Sequence, residues 1–240
     1  MSELTQNFPA DNLNQTVGGW INKRVLGLSK HWLAAVNTFF FLYVGLPFLA
    51  PVLLANGFTR SANAIYWVYS FLCHLLPSRA YFVEGEQVCL CERCIAIYAT
   101  LFAGGVAFSF VRHRLKPLAP KWYVFFMLPM ALDGGTALAS ELSQIVPLAV
   151  LWGVGLVVIG LTAAVLYSQK QLSWPPAVFL ASGLLALAYL QFVGPHESNL
   201  FLRSATGFIF SIGTVWVAYP LLQESFGDIY QDTKTRLTSS

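Results

Sequence analysis

Four cysteines and one neighbouring histidine are the residues of this 240-residue chain best suited to chemistry. The cysteines fall within 22 residues, and Cys91-x-x-Cys94 has the spacing that lets two thiols face one ion. Cys73 is followed directly by His74. Cys73, His74, Cys91 and Cys94 would complete a tetrahedral Cys3His set, so they predict a site for zinc or another transition metal.

Asp133 is the second chemical signal, because it lies inside an apolar run where a charge is costly and usually has a function. A carboxylate there could be a further ligand, hold a ligand in place, or activate water next to a metal. We therefore assign Asp133 a catalytic role. The alternative is structural: an ion pair with Arg203, or a helix kink at Gly134-Gly135.

The thiols also allow other interpretations. A helix N-terminus favours thiolate, so Cys91 and Cys94 could cycle between dithiol and disulfide and pass electrons to a membrane quinone. Inert buried thiols or structural disulfides are a further alternative. Cys89 has no part in the metal interpretation.

The composition indicates a membrane protein. Hydrophobic residues make up 56% of the chain, the mean hydropathy is +0.61, and only 10% of residues are charged, against about 25% in soluble domains. The net charge of +3 is small, and nucleic-acid binding is not expected. The partner implied by this composition is the lipid bilayer.

Apolar runs predict an all-α, polytopic transmembrane bundle of six to seven membrane helices. The predicted helices are 33–55, 62–76, 94–111, 122–139, 147–167, 175–193 and 200–222. The segment 62–76 would rise only about 22 Å, short of a bilayer core of about 30 Å, so we expect it to be re-entrant or interfacial. A polar N-terminal segment (1–32) and a polar tail (223–240) would flank a single transmembrane domain (33–222).

Basic residues in the loop 112–121 set the predicted orientation, since such loops stay in the cytoplasm. With six crossings, both termini are then cytoplasmic. The same rule puts Cys91, Cys94 and Asp133 near the non-cytoplasmic leaflet.

Several short motifs follow one another between residues 73 and 207. They are Cys73-His74, Arg79 with Tyr81-Phe82, Cys91-Glu-Arg93-Cys94 with Ile97-Tyr98, Pro129 with Asp133-Gly134, Glu197-Ser198-Asn199, and Leu202-Arg203 with Thr206-Gly207. This order resembles an uncharacterised family of predicted prokaryotic polytopic membrane proteins. The resemblance implies the cytoplasmic (inner) membrane of a prokaryote and a shared polar site, but no reaction. The chain departs from the family pattern at Leu75 and Ala96, and in the two apolar segments 147–167 and 175–193.

Further motif residues are expected to contact a substrate or to support the ligands. They are Arg79, Arg93, Tyr98, Glu197, Asn199 and Arg203. Arg203 and Asn199 could bind an anionic group such as a lipid headgroup, or pair with Glu197 or Asp133. His196 is expected to be a turn residue.

Three functions are compatible with these residues. The favoured one is a membrane metalloprotein with its site near the non-cytoplasmic leaflet, which as an enzyme would act on a lipid or another amphiphilic substrate. The second is a thiol–disulfide oxidoreductase linked to quinone. The third is a non-catalytic subunit or assembly factor that packs against other membrane subunits.

Overall fold

The computed structural model describes residues 9–73, 75–112, 114–171 and 173–239, with side chains from 19 to 238. The helices are α1 Pro9–Ala55, α2 Thr59–Ser70, α3 Glu92–Val111, α4 Pro120–Ser143, α5 Leu148–Ser168, α6 Trp174–Phe192 and α7 Leu200–Ser239. A 3-10 turn, Pro77–Arg79, precedes two strands, β1 Ala80–Val83 and β2 Glu86–Cys91. Within these residues, all helices except α2 are long and apolar enough to cross a membrane, six in number. The predicted all-α polytopic bundle is confirmed.

The first and last helices run beyond the apolar segments that the sequence marks. Helix α1 begins at Pro9, but His31 has non-helical angles (φ −113°, ψ 18°). This kink lies two residues before the predicted start at Leu33, so the apolar run corresponds to the second part of α1. Helix α7 continues through the predicted boundary at 222 as far as Ser239.

Helix α2 is shorter than predicted and ends earlier. Its 12 residues rise about 18 Å, which is too short to cross the bilayer core. The predicted end at 76 is wrong, because the chain leaves the helix after Ser70. Cys73 therefore lies in a turn, where its backbone N–H donates to the Tyr69 carbonyl (2.9 Å).

A small antiparallel hairpin, which the apolar pattern does not predict, connects α2 to α3. Val83 pairs with Glu86 across a two-residue loop, Glu84-Gly85, in which both residues have positive φ (53° and 81°). Positive φ at both positions is typical of the type I′ turn, whose twist matches that of the strands. The hairpin packs on α1 and α2 and brings Cys91 to the start of α3.

Helix α7 is central in the bundle, since it packs against α1, α3 and α4. Helix α6 packs on α4, and α5 lies outside both with none of its residues buried. The hairpin, the N-termini of α3 and α7 and the C-terminus of α4 meet at one end of the bundle, which we call the hairpin end. Ion pairs between these elements hold that end together.

Candidate functional site

Three thiols converge at the hairpin end. The sulfur atoms of Cys73, Cys91 and Cys94 all lie within 4.8 Å of one another. Cys73 comes from the turn after α2, Cys91 ends β2 directly before α3, and Cys94 lies in the first turn of α3. The backbone N–H of Cys91 donates to the Cys73 sulfur (3.4 Å). All four cysteines are free thiols, and Cys89 is fully buried in an apolar cluster with Leu90, against which Cys73 and Cys94 also pack.

The thiol environments differ in ways that bear on reactivity. Hydrogen bonds from the Cys91 and Cys94 thiols lower the pKa of the Cys73 thiol far below its usual value. The bond to Cys73 raises the pKa of Cys91. Burial raises the pKa of Cys89 to about 12. Cys73 is therefore the residue that holds a thiolate most easily, and thiolate is the form that attacks electrophiles and binds metals.

The three sulfurs fit a soft or borderline cation. A zinc–sulfur distance of about 2.3 Å puts two sulfurs of one tetrahedral ion about 3.8 Å apart. Separations of at most 4.8 Å need only small side-chain movements to reach that geometry. His74, the expected fourth ligand, lies outside the described residues.

Asp133 is the centre of a buried polar network. Its carboxylate, 6% exposed as a residue, accepts a hydrogen bond from the Arg93 guanidinium. The Ser198 hydroxyl donates to the same carboxylate oxygen (2.8 Å), and Nε2 of His196 lies 3.2 Å from the other one. The Ser140 hydroxyl accepts the backbone N–H of His196 (2.8 Å) and so fixes the loop against α4.

Two further ion pairs join elements at the hairpin end. Arg79 pairs with Glu141 near the end of α4. Arg203, in the first turn of α7, lies 3.4 Å from the Glu92 carboxylate and 3.5 Å from the Ser78 carbonyl. The pairing of Asp133 with Arg203 suggested by the sequence is therefore replaced by two others, Asp133 with Arg93 and Arg203 with Glu92.

A polar cavity of about 280 Å3 lies among the thiols and the ion-paired side chains at the hairpin end. Its lining includes the thiol-bearing residues Cys73 and Cys91 and the cations Arg79, Arg93 and Arg203. Arg93 is shared between the cavity and the Asp133 network, so it forms the wall between them. A small polar molecule in this cavity would contact both thiols and guanidinium groups.

Two glycines let the neighbouring helices approach Arg93. A Cβ at Gly134 would lie 3.0 Å from Nη1 of Arg93, and one at Gly207 would lie 3.0 Å from its carbonyl oxygen. Both glycines belong to motifs noted in the sequence, Asp133-Gly134 and Thr206-Gly207. Their physical role is to make room for Arg93 between α4 and α7.

Three expected site residues have other surroundings. Tyr98 packs against Tyr43, with ring centroids 4.4 Å apart. Asn199 accepts the backbone N–H of Leu202 (2.8 Å) and so caps the first turn of α7, while Glu197 is exposed.

Sequence reasoning missed three members of the site. His196, expected to be a turn residue, also contacts Asp133, and Ser198 does so from a buried position. Glu92 was not singled out. The Glu-Ser-Asn motif was the available signal for His196 and Ser198, and the helix start beside Cys91 was the signal for Glu92. Neither signal indicates which charged side chain these residues contact.

Comparison with known proteins places this site in a wider group. Residues 73–156 match a family described as "Predicted membrane protein (DUF2085)". This range includes the three clustered thiols, Arg93 and Asp133, whereas the loop with His196 and Ser198 lies beyond it. The chain is also 32% identical over 118 residues to "Uncharacterized protein MJ1492" of Methanocaldococcus jannaschii, a match that covers 46% of this chain and 75% of that protein. No solved structure matches the chain.

Proposed function

The chain belongs to the DUF2085 family of predicted membrane proteins, and from this premise we propose that it binds a zinc-type ion through Cys73, Cys91 and Cys94. The observation that carries the proposal is the convergence of three sulfurs, from a turn, a strand end and a helix start, to within 4.8 Å. Inert buried thiols have no need to cluster. Cys89, which is fully buried beside Leu90 and is not a member of the group of three sulfurs, has the surroundings expected of such a thiol.

Three thiolate ligands would leave one position of a tetrahedral ion for His74 or for a substrate. A bound ion would supply Lewis acidity at the edge of the polar cavity. Arg93 would lie between this ion and Asp133, where its guanidinium compensates the carboxylate charge. Asp133 is held by three partners, which favours a role in orienting groups or accepting a proton over a role as a metal ligand.

The proposed location of the site is the non-cytoplasmic leaflet of a prokaryotic inner membrane. The basic loop 112–121 connects the far ends of α3 and α4, opposite the hairpin end. Since basic loops are retained in the cytoplasm, the hairpin end would face the other side. An amphiphilic substrate could then reach the site from the leaflet.

Elemental analysis of the purified chain tests the metal proposal. We expect about one transition-metal ion per chain, measured by inductively coupled plasma mass spectrometry, because three thiolates form a high-affinity set. Cys91→Ser should lose most of the metal, and Cys89→Ser is the matched control that should keep it. Asp133→Asn should keep it as well.

The proposal fails if the wild-type protein carries no stoichiometric metal, or if Cys91→Ser and Cys89→Ser carry equal amounts. A second function, thiol–disulfide exchange with a quinone as electron acceptor, is supported by the same proximity of the three sulfurs. It predicts a metal-free protein in which a disulfide forms among Cys73, Cys91 and Cys94 on oxidation. Differential alkylation followed by peptide mass spectrometry distinguishes the two.

A further inference from the structure

A second cavity lies beside the polar network, on the opposite side from the thiols. It is a cleft of about 650 Å3 between α4, α6 and the start of α7, within the range of about 300–1,000 Å3 usual for ligand pockets. Its walls are apolar side chains such as Leu132, Leu185 and Phe192, and Asp133 and His196 form a polar end. The three helices are among those suited to cross the membrane, so lipid chains are the molecules with direct access to it.

The Asp133–His196 contact selects the tautomer of a neutral imidazole, and with it the hydrogen bond that His196 offers to the cleft. An ionised carboxylate only accepts, so the hydrogen between Nε2 and Oδ1 (3.2 Å) belongs to the histidine. In a neutral ring, Nδ1 is then an acceptor. Nδ1 has no hydrogen-bond partner among the described residues. An occupant that donates a hydrogen bond, such as a hydroxyl, would satisfy this nitrogen.

Charge argues against an anionic occupant. No lysine or arginine lines the described part of the cleft. The nearby guanidinium group, that of Arg93, is already paired with Asp133. A phosphate or carboxylate head would therefore lie next to the Asp133 carboxylate without a free cation to balance it.

We propose that this cleft binds the single apolar chain of a lipid alcohol, whose hydroxyl donates a hydrogen bond to Nδ1 of His196. This inference specifies the amphiphilic substrate of the proposed function. It rests on that proposal's placement of the helices in lipid, but it does not depend on the metal. Asp133 acts as a positioning residue, because it holds the imidazole in the tautomer that accepts. Ser140 supports the same arrangement through the backbone of His196.

Photo-crosslinking with a diazirine analogue of farnesol tests the site in the full chain reconstituted into phospholipid nanodiscs. We expect saturable labelling of peptides from α4, α6 and α7 that line the cleft. Unlabelled farnesol should compete about tenfold better than its methyl ether, because the ether cannot donate a hydrogen bond. In His196→Ala this preference for the alcohol should disappear. Ala188→Trp, which fills the cleft with an apolar group, should abolish labelling while the melting temperature stays near that of wild type.

Several results would overturn the inference. They are equal competition by alcohol and ether in the wild-type protein, stronger competition by decylubiquinone or a fatty acid, and labelling that does not saturate or is unchanged in Ala188→Trp. Metal content measured on the same preparations separates this inference from the proposed function. A protein that carries no metal but still prefers the alcohol contradicts only the metal site. A protein that carries the metal but shows no preference for the alcohol contradicts only the lipid-alcohol site.

Discussion

The guanidinium of Arg93 donates a hydrogen bond to the carboxylate of Asp133 and so joins α3 to α4 at the hairpin end. Arg93 directly precedes the thiol residue Cys94 and lines the polar cavity, whereas Asp133 lines the apolar cleft. The pair is therefore the boundary between the polar cavity beside the thiols and the apolar cleft. Both side chains are largely shielded, with 23% and 4% of their surfaces exposed.

Asp133→Asn should destabilise the bundle. Removing one partner of a buried ion pair leaves an uncompensated charge and costs about 3–5 kcal/mol. For a chain of this size, a loss of about 3 kcal/mol lowers the melting temperature by about 6–12 °C. Thermal unfolding in detergent measures the change. Glu197→Gln, which neutralises an exposed carboxylate two residues from the helix cap, is the control that should leave the melting temperature unchanged.

Thiol reactivity should separate Cys73 from Cys89. In the metal-free protein, N-ethylmaleimide at neutral pH should modify Cys73 much faster, since its pKa is lowered by the neighbouring thiols while burial raises the pKa of Cys89 to about 12. Peptide mass spectrometry after timed quenching measures both rates. Equal rates would mean that the two thiols do not differ as the structure indicates.

The raised pKa of Cys89 also gives a pH dependence of stability. The folded state holds the neutral thiol, whereas the unfolded thiol ionises near its ordinary value of 9.0. The contribution to stability is therefore complete below about pH 9 and is lost as the pH rises toward 12. Cys89→Ala should flatten this alkaline loss, measured as the melting temperature between neutral pH and pH 10.

Metal removal should change the labelling pattern of the three clustered thiols. With an ion bound, Cys73, Cys91 and Cys94 are ligands and should resist N-ethylmaleimide, because their lone pairs are engaged. A strong chelator should expose all three together, while labelling of Cys89 stays low in both states. Labelling that is the same with and without chelator would argue against shared coordination.

Much of the fold followed from hydropathy alone. Runs of about 20 apolar residues specify spanning helices, because the bilayer leaves the backbone few alternatives. The hairpin was missed because its strands are short, with four and six residues, and hydropathy alone does not reveal them. A type I′ turn depends on two residues with positive φ, a requirement that Glu-Gly meets less obviously than Asn-Gly.

The site was predicted only in part, for a different reason. Residue type and spacing identified Cys73, Cys91 and Cys94 as a possible ligand set and Asp133 as a costly charge. Pairing could not be deduced, since Arg79, Arg93 and Arg203 are each separated from their carboxylates by many residues along the chain. Which guanidinium meets which carboxylate depends on the rotation of α3, α4 and α7 about their axes, which the apolar pattern leaves open.

Gly213→Ala tests the close packing that holds α4 against α7. An added methyl group would lie 2.4 Å from Cβ of Phe126, an atom that cannot rotate away, so we expect a loss of about 1–3 kcal/mol. Gly153→Ala on α5 is the matched control, because nothing lies within 4 Å of the position that its added methyl group would occupy. The control should be neutral or slightly stabilising, since alanine favours helix more than glycine does. Equal melting temperatures for the two variants would contradict the helix contact.

The orientation of the chain decides which side of the membrane the thiols and the apolar cleft face, and single cysteines can report it. Lys116→Cys lies in the basic loop and Glu197→Cys lies in the loop at the hairpin end, and both positions are exposed. With a membrane-impermeant maleimide applied to intact cells, Glu197→Cys should gain labelling above the wild-type level, whereas Lys116→Cys should gain it only after permeabilisation. This result follows from retention of basic loops in the cytoplasm. The opposite pattern would place Cys73, Cys91 and Cys94 in the reducing cytoplasm, where disulfide exchange with a quinone is disfavoured and the proposed access from the outer leaflet is lost.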